Sequence, residues 1–421
     1  MFENAKFVID SREAFEGCVF VALKGEKTDG HLYVNEALGK GAVLAVVERE
    51  VDVPKEKLFF VRNTRIFLQE LAAQKLSRYN PTIVGITGSN GKTTTKEMIY
   101  KCLDSGLAFR NPGNLNTEIG LPLAVLNDYE GQKYAILEMA MNKPGDITTL
   151  CRIAQPHVAV LLNVGTAHRG VAGGTEQILT GKLEIVQNMH KDGIAIVHSD
   201  QRILERIKER NVITFGFQKG DYYLDNYTYE SLSTVAFYRT PNGSKVLRFS
   251  TIFNVGQLIN VAAVLAVFDV LKLEVDLSKL ENFVPVTGRF KVQQIEGVYI
   301  IDDTYNASLE SFKVAVETLK KLGKKTYAVV GSIKEQGSFS EETHKELGKI
   351  LEQLDGVFVY NIDHEIDTME CSKIVLRSDQ PDVIVSKLRS LLNPKDAVLF
   401  KASRAIAMEN VLKLFTGGST V

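Results

Sequence analysis

A glycine-rich turn that joins an apolar strand to the start of a helix constrains the fold of this chain more than any other stretch. The apolar residues 83–86 precede the turn, and residues 96–99 continue it as a helix. Glycines let the backbone approach an anion, and the amides at the start of a helix point at it. A lysine can then bind a phosphate group, and a threonine hydroxyl can bind Mg²⁺. The turn comprises Thr87, Gly88, Ser89, Asn90, Gly91, Lys92, Thr93 and Thr94.

The spacing of this turn departs from the standard phosphate-loop pattern, because Ile86 stands where that pattern has a glycine. The alternative is an ordinary strand-to-helix connection that happens to contain glycine and lysine. Strand, turn, lysine and paired hydroxyls all coincide here. We therefore interpret residues 87–94 as a triphosphate-binding loop, called the phosphate loop below.

Length and charge limit the possible classes of protein. A chain of 421 residues is expected to form two to three domains. Its net charge of -1, with both signs spread along the chain, argues against nucleic-acid binding through bulk charge. The four cysteines match no metal or redox spacing, and no apolar run reaches membrane-spanning length. We expect a cytoplasmic protein without a secretory leader or membrane insertion.

The order of apolar runs predicts an α/β protein of three domains, with boundaries at 1–81, 82–287 and 288–421. The first is a small α/β domain. The second alternates strands and helices, which indicates a parallel sheet of the phosphate-loop ATPase kind, and adds a small antiparallel lobe at 221–253. The third alternates again and is predicted to be Rossmann-like, although it contains no GxGxxG.

Several polar residues near predicted strand ends are candidates for chemistry. Glu138 ends a strand beside the phosphate loop, where carboxylates commonly bind Mg²⁺. His168 also follows a strand, but a lone histidine there is more often structural. Lys182 lies on a predicted helix with Glu184 nearby, and a surface ion pair is the ordinary explanation. The amide-rich residues 111–120 are either a plain turn or a ligand-binding loop.

Taken together, these segments resemble the Mur ligase family of ATP-dependent amide-forming enzymes. Residues 87–93 match the family's phosphate loop T-G-[ST]-N-G-K-T, and residues 163–168 match its N-V-G-x-A-H segment. Glu138 matches the family's strand-end glutamate, and Lys182 lies where the family has a lysine carboxylated by CO₂. The resemblance therefore implies ligand roles for His168 and Lys182, in place of the structural roles that each suggests alone.

The resemblance implies a reaction in peptidoglycan precursor synthesis. Residues 10–12, 113–123 and 302–307 are most similar to the family member that joins D-Ala-D-Ala to UDP-N-acetylmuramoyl-tripeptide through an acyl phosphate. The alternatives are the related ligase that adds the third, diamino residue and a folylpolyglutamate-type ligase. A nucleotide-gated switch protein is the non-enzyme alternative, which the extra metal ligands disfavour. We expect the first domain to bind the UDP-sugar and the chain to be a monomer.

The resemblance also implies roles for individual residues. One Mg²⁺ would be bound by Thr93 and Glu138, and a second by His168 and carboxylated Lys182. ATP would contact residues of the phosphate loop, Lys92 among them, together with Asn260, Arg289, Asp303, Tyr305 and Asn306. Substrate contacts are predicted at Ser11, Arg12, Lys24, Thr28, Asp29, His31, Asn114, Asn116, Thr117, Ser403 and Arg404.

Three segments depart from the family pattern. Thr117 stands where the family member usually has asparagine, and residues 332–337 match the usual G-x-M-x-E-L-G only loosely. The family's adenine-contacting H-N-x-x-N segment is reduced here to Gln257 and Asn260. An adenine contact by Gln257 is therefore left open.

Overall fold

The N-terminal part of the chain forms a small parallel sheet that a long helix joins to the rest. The computed structural model describes residues 2, 5–104, 106–167, 169–208 and 211–418. The N-terminal elements are β1 Phe7–Val8, β2 Val19–Val21, α1 Val34–Gly39, β3 Leu44–Val47, β4 Leu58–Phe60 and the connecting helix α2 Thr64–Tyr79. Their sheet has the order β1-β2-β3-β4, and all neighbours are parallel. Asn63 caps α2 by accepting a hydrogen bond from the Ile66 amide.

The central part is built on a nine-stranded sheet. Its first elements are β5 Thr82–Thr87, α3 Lys92–Cys102, β6 Ala108–Arg110, α4 Gly120–Asp128, β7 Tyr134–Glu138, α5 Asp146–Ile153, β8 Val158–Leu161, α6 Arg169–Ala172 and α7 Thr175–Gln187. The others are β9 Ile194–His198, α8 Gln201–Leu204, β10 Asn211–Phe217, β11 Tyr222–Glu230, β12 Ser233–Thr240, β13 Gly243–Phe249, α9 Val255–Val270 and α10 Leu277–Glu281.

The order of the central strands brings the candidate residues together. The sheet runs β13-β12-β11-β10-β9-β8-β5-β7-β6, parallel from β6 to β11 and antiparallel from β11 to β13. Because β5 lies between β7 and β8, the phosphate loop leaves the sheet between Glu138 and the segment that follows β8. The carboxyl ends of neighbouring parallel strands are where ligands bind in open α/β sheets.

The C-terminal part forms a second, smaller sheet with helices on both faces. Its elements are β14 Lys291–Ile295, β15 Val298–Asp302, α11 Leu309–Leu322, β16 Thr326–Val330, α12 Ser340–Leu351, β17 Gly356–Tyr360, β18 Ile374–Ser378, α13 Pro381–Arg389, β19 Ala397–Lys401 and α14 Met408–Thr416. The order is β14-β15-β19-β16-β17-β18, with only β14 antiparallel to its neighbour among these strands. Helices α11 and α12 share one apolar core with the sheet, and α13 and α14 share another.

The three parts are joined by different kinds of contact. A single apolar core runs from the N-terminal sheet through α2 to one face of the central sheet. The cores of the C-terminal part are separate from it. Between the central and C-terminal parts, Ile252 of the central part is buried in the core of α11 and α12, whereas the contacts at the site include hydrogen bonds. A polar interface permits relative domain motion more readily than a shared apolar core does.

The predicted fold class is confirmed, but several elements differ from the sequence analysis. Helix α4 and the short strands β6, β14 and β18 were not predicted, because their sequences lack a clear periodic pattern. The sequence pattern of residues 201–209 predicts one helix, but the structure has only the four-residue α8 there, and Glu209 lies outside the described residues. The antiparallel lobe is continuous with the central sheet, because β11 pairs with β10 in parallel and with β12 in antiparallel orientation. Among the described residues, no helix is long and apolar enough to span a membrane.

Candidate active site

The phosphate loop is shaped by contacts that exclude larger residues at its glycines. A Cβ added to Gly88 would lie 2.9 Å from Leu162 Cβ, and one added to Gly91 only 2.1 Å from Asn260 Nδ2. Gly91 also has a φ of 87°, a left-handed conformation that glycine adopts without strain. It precedes α3, so the first amides of the helix face the loop. Asn260, which is predicted to contact ATP, is thus placed against the phosphate loop.

The segment after β8 supports the phosphate loop through paired amides. Asn163 Oδ1 accepts from the Asn90 amide at 2.9 Å, and Asn163 Nδ2 donates to Asn90 O at 3.0 Å. Ser89 Oγ accepts from the Gly165 amide at 2.9 Å. These bonds hold the loop in one conformation. The sequence analysis gave Asn163 no role, although it is part of the N-V-G-x-A-H match.

Glu138 lies at the centre of a hydrogen-bonded cluster of site residues. Its carboxylate is buried, and Oε2 accepts from Thr93 Oγ1 at 2.9 Å while Oε1 accepts from Asn116 Nδ2 at 2.7 Å. The cluster therefore joins the phosphate loop to the amide-rich loop of residues 111–120. Asn114 and Thr117 lie exposed on that loop, where Thr117 Oγ1 accepts from the Gly120 amide.

Two lysines converge beside this cluster, and burial changes their chemistry. Lys92 Nζ donates to Gly88 O at 2.8 Å, which places its charge over the phosphate loop. Lys182 on α7 is buried, and burial together with the nearby Lys92 holds its pKa well below the usual range. The suggested ion pair of Lys182 with Glu184 is wrong. Glu184 instead accepts from the Gly145 and Thr148 amides at 2.6 and 2.9 Å.

The C-terminal part closes over the phosphate loop through several polar contacts. Arg289 Nη2 donates to Thr93 Oγ1 at 3.2 Å, and the guanidinium lies 3.5 Å from the centre of the Tyr305 ring. Asn90 Nδ2 donates to Ser308 Oγ at 3.2 Å. Gln257, whose adenine contact was left open, completes a capping box with Asn254 at the start of α9 and donates from Nε2 to Arg289 O at 3.1 Å. Its carboxamide is therefore used to fix the backbone of Arg289.

A second group of closing contacts involves residues that the sequence analysis did not select. Glu310, in the first turn of α11, accepts from the Thr166 amide at 2.9 Å and from Thr166 Oγ1 at 3.2 Å. The Gly170 amide donates to Glu335 O at 2.9 Å. Arg169 lies 3.9 Å from the centre of the Phe339 ring. His168, predicted as a metal ligand, lies outside the described residues.

The predicted site residues at the carboxyl ends of β15 and β19 are partly engaged with one another. Lys401 is buried, pairs with the Asp303 carboxylate and donates to Asn306 O at 3.0 Å. Ser403 is buried and its Oγ accepts from the Lys334 amide at 2.9 Å. Arg404 is exposed, and its guanidinium lies 5.7 Å from the centre of the Tyr305 ring. Of these residues, Asn306 and Arg404 are exposed, and Arg404 pairs with Glu409 at 2.8 Å.

The predicted substrate residues of the N-terminal part are mostly bound to neighbours in that part. Ser11 Oγ donates to Glu36 Oε2, and Thr28 Oγ1 pairs with Tyr33 OH, each at 2.9 Å. His31 is buried, with Nδ1 2.6 Å from Asp29 Oδ1, and Nε2 accepts from the Glu48 amide at 2.9 Å. Both His31 ring nitrogens are thus occupied. The exposed candidates are Thr28, Arg12, which pairs with Asp10, and Lys24, whose backbone forms an isolated β-bridge with Asp29.

The cluster around Glu138 has donor atoms suited to a magnesium ion. Among the described residues, no three His, Cys, Asp or Glu side chains gather as a complete metal site. Thr93 Oγ1 and Glu138 Oε2, however, are 2.9 Å apart. Mg²⁺ prefers oxygen ligands and commonly takes one or two from protein, with the rest from water and substrate phosphates. This pair therefore fits an ion that is shared with a bound nucleotide.

Comparison with known proteins gives consistent results over nearly the whole chain. Residues 6–76 match the model "Mur ligase family, catalytic domain", residues 86–268 the "Mur ligase middle domain", and residues 288–404 the "Mur ligase, glutamate ligase domain". The UDP-N-acetylmuramoyl-tripeptide--D-alanyl-D-alanine ligase of Bacillus subtilis (strain 168) is 32% identical, covering 96% of this chain and 91% of that protein.

Solved structures agree with these matches. The MurF ligase of Thermotoga maritima in complex with ADP superposes with a TM-score of 0.95 at 43% identity, covering 99% of this chain and 98% of that one. MurF from Acinetobacter baumannii superposes with a TM-score of 0.89 at 29% identity, covering 98% and 93%. The resemblance inferred from the sequence is thereby confirmed, and this chain belongs to the Mur ligase family.

Proposed function

We propose that this chain is an ATP-dependent, ADP-forming ligase that joins D-Ala-D-Ala to UDP-N-acetylmuramoyl-tripeptide in peptidoglycan precursor synthesis. Full-length similarity to proteins that carry this name supports the assignment. One structural observation carries the mechanism. Thr93, Glu138 and Asn116 form a continuous hydrogen-bonded path from the phosphate loop to the amide-rich loop. A nucleotide on one side and a peptide carboxylate on the other would meet at Glu138.

The reaction brings two anions together, so the site must neutralise charge. A carboxylate oxygen of the tripeptide attacks the γ-phosphorus of ATP, the bond to the β-phosphate oxygen breaks, and ADP leaves. The amine of D-Ala-D-Ala then attacks the acyl carbon, loses a proton and expels inorganic phosphate. Positioning and charge stabilisation supply most of the catalysis in such phosphoryl transfers. Lys92 and the phosphate-loop amides are placed to bind the β- and γ-phosphates, and Arg289 to close over them.

We propose two magnesium sites, which add positive charge at the reacting phosphate. Thr93 and Glu138 would supply the first, and the second would use His168 with a carboxylated Lys182. CO₂ reacts with the neutral amine of lysine, forming a carbamate and releasing one proton. The lowered pKa of buried Lys182 favours that neutral form. A carbamate would also convert a buried amine beside Lys92 into an anion, which provides an oxygen ligand for a hard cation.

The replacement Lys182→Ala is expected to reduce turnover by at least about 10²-fold, because a charge-stabilising group is lost. A short carboxylate such as acetate should restore part of the activity by occupying the space of the missing carbamate. Isotope-labelled bicarbonate should give a carbamate NMR signal with the wild-type protein and none with the variant. The control is Lys191→Ala, an exposed lysine beyond α7 that should be replaceable without effect. Wild-type turnover in Lys182→Ala would reject the ligand role.

The choice of amine substrate is tested by ADP release in the presence of UDP-linked tripeptide. D-Ala-D-Ala should support turnover, and a single diamino acid should support at least about 10-fold less, because discrimination of this size follows from one or two mismatched polar contacts. Turnover with the diamino acid alone would instead assign the chain to the related ligase that adds the third residue.

The N-terminal domain is proposed to bind the UDP-sugar of the first substrate, with Arg12 and Lys24 as its accessible cations. We propose that the chain acts as a monomer. We propose that the reaction takes place in the cytoplasm.

A further inference from the structure

Lys96 is a buried lysine to which the proposed mechanism assigns no role. It lies one turn after Lys92 on α3 and is 0% exposed. Its Nζ donates to Asn111 O at 2.7 Å and lies 3.5 Å from Gly113 O. A lysine is almost never fully buried unless its charge is compensated by partners. We therefore expect the charge of Lys96 to be compensated by specific partners.

Two carboxylates compensate the charge of Lys96, and one of them belongs to the site. Glu97 Oε1 lies 3.5 Å and Glu138 Oε2 lies 3.8 Å from Lys96 Nζ. Arg110 Nε also pairs with Glu97, at 2.8 Å, so Glu97 is shared between two cations. Glu138 is 2% exposed. Among the described residues, Lys96 is the lysine within ion-pair distance of its carboxylate.

Asn111 links Lys96 to the backbone of Glu138 through hydrogen bonds. Asn111 is buried, and its Oδ1 accepts from the Glu138 amide at 2.9 Å while its Nδ2 donates to Glu138 O at 3.0 Å. The same Nδ2 donates to Leu115 O at 2.8 Å. One carboxamide thus pairs with both backbone groups of Glu138 and with the turn that presents Asn116. Lys96 holds the backbone of the residue that makes these bonds.

We infer that Lys96 is a positioning residue, which ties residues 111–116 to the phosphate-loop helix and so fixes Glu138 and Asn116 relative to Thr93. The inference rests on the proposed function, because it assumes that Glu138 and Asn116 act in the ligation. Both ends of the path from Thr93 to Asn116 are anchored on α3, directly at Thr93 and through Lys96 and Asn111 at the other end. Misplacement of reacting groups by about 1 Å can cost about 10²-fold in rate.

The replacement Lys96→Met tests this inference, because methionine has a similar length and no charge. Loss of a supporting contact of this kind typically costs about 10- to 100-fold in activity, and we expect kcat for ligation to fall by that factor. KM for ATP should rise by a smaller factor than kcat falls, because the phosphate loop keeps its own bonds to Asn163. Hydrogen exchange of the amides in residues 111–118 should become faster. Lys101→Met, an exposed lysine on the same helix, is the matched control and should behave as wild type.

Two further variants make the result decisive. Asn111→Ser should lower kcat by a similar factor, and combination with Lys96→Met should add little, because both act through Glu138. If Lys96→Met does not fold, Lys96→Arg keeps the charge but not the 2.7 Å contact, and should lower kcat by a larger factor than it raises KM for ATP. An unchanged kcat, unchanged exchange in residues 111–118, or fully additive effects would overturn the inference. Failure of the wild type to use D-Ala-D-Ala would reject the proposed function instead, and the exchange measurement would still test the link from Lys96 to the loop.

Discussion

The replacement Gly170→Ala is expected to lower turnover by about 10²-fold while each domain keeps its fold, because reacting groups on the two sides of the cleft would be misplaced. A Cβ at this position would lie 2.3 Å from Gly337 N and 2.4 Å from the carbonyl carbon of Gln336. Both atoms are backbone atoms of the C-terminal part, so no side chain can rotate away. Alanine suits the short helix α6 itself, and the clash arises only when the two parts are closed.

The closure defect can be measured independently of turnover. In the presence of a non-hydrolysable ATP analogue and UDP-linked tripeptide, small-angle scattering should show a more extended particle for Gly170→Ala than for wild type. Gly39→Ala is the control, because nothing lies within 4 Å of a Cβ added at Gly39 and its φ is ordinary. If Gly170→Ala turned over at the wild-type rate, the closed contact at residues 335–337 would not be needed for ligation.

The replacement Glu138→Gln is expected to reduce kcat by about 10²- to 10³-fold, the range seen when one charge-stabilising group is removed from an active site. Glutamine can still accept from Asn116 and can donate to Thr93 Oγ1, so the path of hydrogen bonds and the fold should persist. What is lost is the negative charge beside Thr93, and with it the oxygen pair suited to Mg²⁺. The melting temperature should fall, because buried Lys96 loses one of its two compensating carboxylates. Nucleotide affinity should lose most of its dependence on magnesium.

Calorimetric titration of the variant with ADP, with and without magnesium, separates this effect from a general loss of binding. Glu130→Gln is a suitable control, because Glu130 is exposed in the turn that precedes β7, at the opposite end of the strand from Glu138. An unchanged magnesium dependence in Glu138→Gln would place the ion elsewhere. An unchanged kcat would remove Glu138 from the mechanism altogether.

The parts of the site that could be predicted are those that adjacent residues define. Residues 82–99 contain an apolar run, then glycines, then a helix-forming stretch. This order predicts strand β5, the phosphate loop and the start of α3. Glu138 was located because it ends an apolar strand. The ligase family followed from matching several such segments, and the similarity of the whole chain to known members confirmed it.

The residues that were missed make their contacts across the fold. Asn163 is 73 residues from Asn90, and Glu310 is 144 residues from Thr166. Lys96 looks like an ordinary polar residue of a helix, and its burial becomes apparent only when residues 111–116 pack over α3. The ordinary alternative for Lys182, an ion pair with Glu184, fails for the same reason, since Glu184 lies two residues away in sequence but points to the amides that begin α5.

The sequence by itself determined the local structure around the phosphate loop, the alternation of strands and helices, and the family. Backbone sterics and hydrophobic periodicity act over short distances along the chain, so they can be read without the fold. Only the tertiary structure shows that β5 lies between β7 and β8, that the C-terminal part closes against Thr166 and Gly170, and that a buried lysine supports Glu138. These arrangements depend on strand order and on desolvation in the folded chain, which no short stretch of sequence contains.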